Sequence, residues 1–271
     1  MARAGVEVRA IDLAEHGSGL LPNPNHRHRI QCRAGAVSAP QRAFLCLGAS
    51  HLACRLWGAI ALKVVFQAFT LRPFEAAVGG SQVALGAYFG LQTVIFEVGG
   101  AFLVVRYAFS KGKIRAGDAA AYGVGLAFWE NGVLVGAVLL LDYVVYTLLL
   151  SGGGAGAQQL FAILERESPS LFYAPSAALP LVGYAVLERV SSLLVHFSWG
   201  LLCALAVVFR RRLFLCLALP MGLVDLLAPF SARLGVPAFE ALLFGLSLLS
   251  LWVALVSTSE VRRETWREQS T

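Results

Sequence analysis

LVGYAVLERVSSLLVHFSWGLLCALAVVF, residues 181–209, decides how this chain is read. It is apolar all round, without the polar stripe of a soluble amphipathic helix. It is also longer than the roughly 20 residues that cross a hydrocarbon core as helix. Its ionisable groups are Glu188, Arg189 and His196. A charged side chain at the bilayer centre costs at least about 2.5–3.5 kcal/mol, so each such residue implies a compensating role.

The rest of the chain repeats the pattern. Apolar runs at 44–71, 77–109, 118–150, 177–209, 213–230 and 237–257 predict an all-α, polytopic transmembrane bundle of about six spans. The composition agrees: 58% of residues are hydrophobic, and the 14% that are charged fall well below the share in soluble domains. The net charge of +6 is distributed by topology. Fifteen Lys and Arg fall in the N-terminal 43 residues, 111–115, 210–212 and the C-terminal tail, against Arg72, Arg166 and Arg233 on the opposite side. This bias predicts cytoplasmic termini and a multi-pass protein of the cell membrane. Anionic headgroups, and no nucleic acid, are the expected partners of the positive charge. Five scattered cysteines lack metal-ligand spacing and read as packing residues.

The chain divides into three regions. Residues 1–43 read as a polar, basic and disordered tail, with no apolar core of the kind a signal peptide requires. Residues 44–257 form the membrane domain, and 258–271 a solvated cytoplasmic helix end. The Gly- and Pro-punctuated segment 151–176 reads as an external loop lying partly on the membrane surface.

Depth separates the ionisable residues within the spans. Arg106, Lys63 and Asp142 lie toward span ends, where long side chains snorkel to water. Glu97 is 13 residues from Ser110, Glu130 is 12 from Asp118, His196 is 14 from Arg210, and Asp225 is 13 from Arg212. At 1.5 Å per residue, all four lie roughly 18–21 Å from one face of the membrane. Four ionisable groups on four helices at one depth predict a single polar cluster. On the helix of His196, Glu188 lies eight residues away and about 80° round, with Ser192 between them. Arg189, about 100° from Glu188, is expected to pair with a carboxylate on another helix. Carboxylates and an imidazole closed to bulk water suit general-base activation of water and oxyanion stabilisation. They equally suit proton relay or cation binding. One imidazole with carboxylates is a poor zinc set, so neither metal nor cofactor is expected.

Four motifs in order resemble those of the YhfC family of glutamic-type intramembrane proteases, related to the CAAX-prenyl-protease superfamily. GLQTVIFEVGGAFLVVRYAFSKGK (90–113) is similar to a span built on an EE-x-x-R signature, with Phe96 for the first acid and Gly100 for the arginine. DAAAYGVGLAFWENGVLVG (118–136) resembles a G-x-G-H-G-x-x-E segment that keeps Glu130 but has Leu126 for the histidine. LERVSSLLVHFSWG (187–200) matches an E-R-x-x-A/S-x-x-x-H element throughout. MGLVDLL (221–227) keeps the acid of H-x-x-x-D as Asp225, with Met221 for its histidine. The resemblance implies hydrolysis of a membrane-protein or peptide substrate within the bilayer. Glu97 or Glu130 would be the base, His196 the acid or oxyanion donor, and Asp225 its orienting group, supported by Glu188, Arg189 and Ser192. The two lost histidines keep a catalytically inactive homologue binding membrane partners as the alternative. A proton- or cation-coupled carrier ranks third, because the halves show no inverted hydropathy symmetry.

Overall fold

The computed structural model describes residues 50–152, 157–167 and 169–270, which are helical with no strand among them. The predicted tail, 1–43, lies outside the described residues. So does the start of the first predicted span, whose remainder lies in α1, Ser50–Val78. Five helices among the described residues are long and apolar enough to cross a membrane. In chain order after α1, these are α2 (Gln82–Ser110), α3 (Ala119–Ser151), α5 (Ala178–Val208, within the helix Pro175–Val208), α6 (Arg212–Leu234) and α7 (Val236–Arg263, within Val236–Ser270). They coincide with the second to sixth predicted spans. The loop between α3 and α5 carries a further helix, α4, at Ala157–Glu167.

α1 continues through Pro73 to Val78, seven residues past the end predicted for its span. It stops where Gly79 and Gly80 adopt φ of 59° and 75°, a region that glycine enters without steric cost. Ser81 then caps α2, its Oγ accepting from Ala84 N at 3.4 Å.

α5 is the hub. The N-terminal part of α3 packs along it on one flank and α7 on another. Its C-terminal half, from Leu201 to Leu205, is buried to within a few per cent. Small residues permit this approach: a Cβ on Gly200 would stand 2.8 Å from Leu126 Cδ2 and 3.1 Å from Gly123 Cα. Close contact between backbones is how helices associate where lipid is as apolar as the side chains. Outward-facing residues of α3, such as Leu140 at 64% exposure, present the apolar surface that a bilayer covers.

Three of the spans are not uniform α-helix. α2 is π-helical over Thr93–Val98 and α3 over Phe128–Val135. α6 is a 3₁₀-helix from Leu219 to Phe230. In α3, Asn131 Nδ2 donates to Ala127 O at 3.3 Å, at the start of the π-helical stretch. Glu97, Glu130 and Asp225 each lie in one of these three stretches, while His196 lies on the regular α5.

Candidate active site

The spans bring Glu97, Glu130 and His196 together. His196 Nε2 lies 3.4 Å from Glu97 Oε2 and 2.9 Å from Glu130 Oε2. One donor atom from each residue lies within 4.8 Å of the other two. Asp225 joins at one remove. Lys63 Nζ bonds Glu97 Oε1 directly, donates to Thr93 Oγ1 at 2.8 Å and stands 3.4 Å from Asp225 Oδ2. Thr93 Oγ1 in turn donates to Asp225 Oδ2. The four residues predicted to share a layer are therefore parts of one network.

Sequence reasoning missed Lys63 and Thr93. Lys63 does not snorkel from a span end. Because α1 runs on to Val78, Lys63 lies 15 residues from that terminus. Its ammonium offsets the charge of Glu97. The extension of α1 beyond the apolar run was the missing signal.

Two further expectations are corrected. Asp225 does not orient His196. Nδ1 instead donates to Ser192 O at 2.7 Å, with Ser192 Oγ 3.2 Å away. The helix thus orients its own imidazole, through the backbone one turn earlier. Arg189 forms its ion pair on its own helix rather than with a neighbour: its Nη2 bonds Glu188 Oε1. The 100° between the two Cα positions is spanned by the long guanidinium stem, and this half-exposed pair contributes little, about 0–1 kcal/mol.

A cavity of about 130 Å³ opens beside the imidazole, bordered by Glu188, Arg189, Ser192, His196, Trp199 and Asp225 among others. Trp199 packs on His196 with ring centroids 4.2 Å apart. Its buried Nε1–H has no hydrogen-bond partner among the described residues. The positions where the family motifs have histidine are apolar and buried, Leu126 at 3% exposure and Met221 at 9%.

The donor set fits a divalent cation on three grounds. With Nδ1–H committed to Ser192 O, a neutral His196 turns the lone pair of Nε2 toward two carboxylate oxygens, which demands a proton or a cation among them. Glu130 Oε2 is buried and lacks a hydrogen-bond partner despite its 2.9 Å approach to Nε2. Charge also leaves room, since Glu97, Glu130 and Asp225 gather around one ammonium and one imidazole. Donors of a tetrahedral zinc site stand about 3.3–3.6 Å apart at bond lengths of about 2.0–2.2 Å; Nε2 lies 3.4 Å and 2.9 Å from the two carboxylate oxygens. Counting histidines along the sequence gave a poor set. Gathering two carboxylates onto one oriented imidazole gives three residues that could hold an ion.

The fold and site define a polytopic helical membrane protein with ionisable groups gathered at the middle of its spans. The chain belongs to the YhfC intramembrane metalloprotease family, which it matches over residues 56–242. That range contains every residue of the network. No curated protein and no solved structure matches the chain.

Proposed function

We propose that the protein hydrolyses peptide bonds within the membrane, with Glu97, Glu130 and His196 carrying the chemistry. The observation that supports this most directly is the meeting of these side chains from three helices, with His196 also bordering a cavity. At about 30 Å³ per water, that cavity has room for about four waters, or for one water and part of a peptide unit.

Glu130 is assigned as general base. Its Oε2 is buried and faces only His196 Nε2, at 2.9 Å, whereas Glu97 also spends one oxygen on Lys63. Glu130 takes a proton from water as the water oxygen bonds to the carbonyl carbon. The proton then passes to the amide nitrogen as the C–N bond breaks, leaving a carboxylic acid and an amine. His196 stabilises the developing oxyanion through Nε2–H when it is the imidazolium, since Nδ1–H is already engaged. Lys63, Thr93 and Asp225 position Glu97. A divalent cation, where bound, is held by Glu97, Glu130 and His196, and supplies a more acidic water and polarisation of the carbonyl. In that form the three side chains serve as ligands.

The test is cleavage of a membrane-embedded reporter by the full chain in proteoliposomes. Glu130→Gln and His196→Ala are each expected to lower the rate by about 10²–10⁴. Cleavage undiminished in both variants refutes the assignment. Loss of activity to a chelator, restored by Zn²⁺, distinguishes the cation-bound form from a metal-free glutamic mechanism. The burial of Leu126 and Met221 favours a second reading, an inactive homologue that binds membrane partners. It predicts no turnover in the parent chain.

A further inference from the structure

A second cavity, of about 470 Å³, lies at the other charged feature of the spans. Its walls come from the last turns of α2 (Phe102, Arg106, Phe109), the end of α5 (Val207), and the turn into α6 (Arg210, Arg212). Three guanidinium-bearing residues border it, and no carboxylate does. Nor does Arg106, Arg210 or Arg212 form an ion pair with another described residue. The remaining walls are aromatic or aliphatic, apart from Ser110, whose hydroxyl donates to Tyr107 O.

Arg210 adds an independent observation. It has φ of 55°, the one non-glycine residue with positive φ among the described residues. A side chain there costs backbone energy that glycine would avoid, and such strain persists where the side chain is needed. The strained turn presents Arg210 at the same opening as Arg106 and Arg212. This is the end of the spans that the charge bias assigns to the cytoplasm.

We propose that this cavity binds the phosphate of an anionic membrane phospholipid, with Arg106, Arg210 and Arg212 around the headgroup and Phe102, Phe109 and Leu215 beside the upper acyl chains. A phosphate oxyanion matches the guanidinium fork, and apolar walls beneath three cations suit an amphiphile better than a soluble anion. The site is separate from the network around His196 and does not depend on whether that network is catalytic.

The test is native mass spectrometry of the full chain in neutral detergent, with added phosphatidylglycerol or phosphatidylcholine of matched acyl chains. The parent chain is expected to retain one phosphatidylglycerol in preference to phosphatidylcholine, and inorganic phosphate is not expected to displace it. Arg106→Gln with Arg210→Gly removes two guanidinium groups while suiting the backbone at 210. It should weaken retention about 25-fold, at about fivefold per arginine. Arg262→Gln with Arg263→Gln removes the same charge elsewhere and should leave retention within about threefold. Arg212→Gln, expected to cost about fivefold, repeats the test if the double variant does not fold. Equal retention of the two lipids overturns the proposal. So does an equal loss in the control variant. Full displacement by inorganic phosphate assigns the cavity to a soluble anion and also overturns it.

Discussion

Replacing Lys63 by methionine separates two accounts of the site by the sign of the effect. If Lys63 were a snorkelling residue in lipid, its removal would be neutral or would stabilise the protein, because a charge at mid-span costs about 2.5–3.5 kcal/mol. The structure instead places its ammonium between Glu97, Thr93 and Asp225, with the Lys63 and Glu97 side chains each only 14% exposed. Removing it leaves the buried Glu97 with only His196, 3.4 Å away, to offset its charge, and breaking such a pair from one side costs about 3–5 kcal/mol. The contact with Asp225 adds less, because that carboxylate is 41% exposed and reaches solvent. Lys63→Met is therefore expected to destabilise by about 3–5 kcal/mol, and adding Glu97→Gln should restore most of the loss by removing that charge. The measurement is reversible unfolding in bicelles for the parent, both single variants and the double variant. Additive losses, with a coupling below about 0.5 kcal/mol, would show that the two side chains do not act as a pair.

Two further outcomes test the geometry around His196. Ser192→Ala removes only the hydroxyl 3.2 Å from Nδ1, while the 2.7 Å bond to the backbone carbonyl survives. Reporter cleavage should then fall less than about tenfold, and a loss comparable to that of His196→Ala would mean the hydroxyl orients the ring. Gly200→Val forces a side chain against Leu126 and Gly123 where α3 crosses α5, and should destabilise by about 1–3 kcal/mol in the same unfolding assay. An unchanged transition would indicate that the two helices are not closely packed at that point.

The spans were legible because hydropathy is local: each run of about 20 apolar residues commits itself to the bilayer without reference to its neighbours. The depth of Glu97, Glu130, His196 and Asp225 was equally legible, because axial position depends only on the rise per residue. Depth misled at Lys63, where α1 continues through Pro73 and carries its C-terminal end seven residues further away. Angular position could not be read across the irregular stretches of α2 and α3. Each residue inserted by a π turn rotates the downstream part of the helix by about 100°, and nothing in TVIFEV or FWENGVLV announces such a turn by an internal proline. The sequence by itself thus determined an all-helical membrane protein and the layer in which its polar residues lie. The tertiary structure decided that Glu97 and Glu130 turn toward one imidazole, that Ser192 rather than Asp225 orients it, and that Lys63 closes the network. Those choices depend on how helices are rotated and packed against α5, and that is a property of contacts between segments distant in the chain.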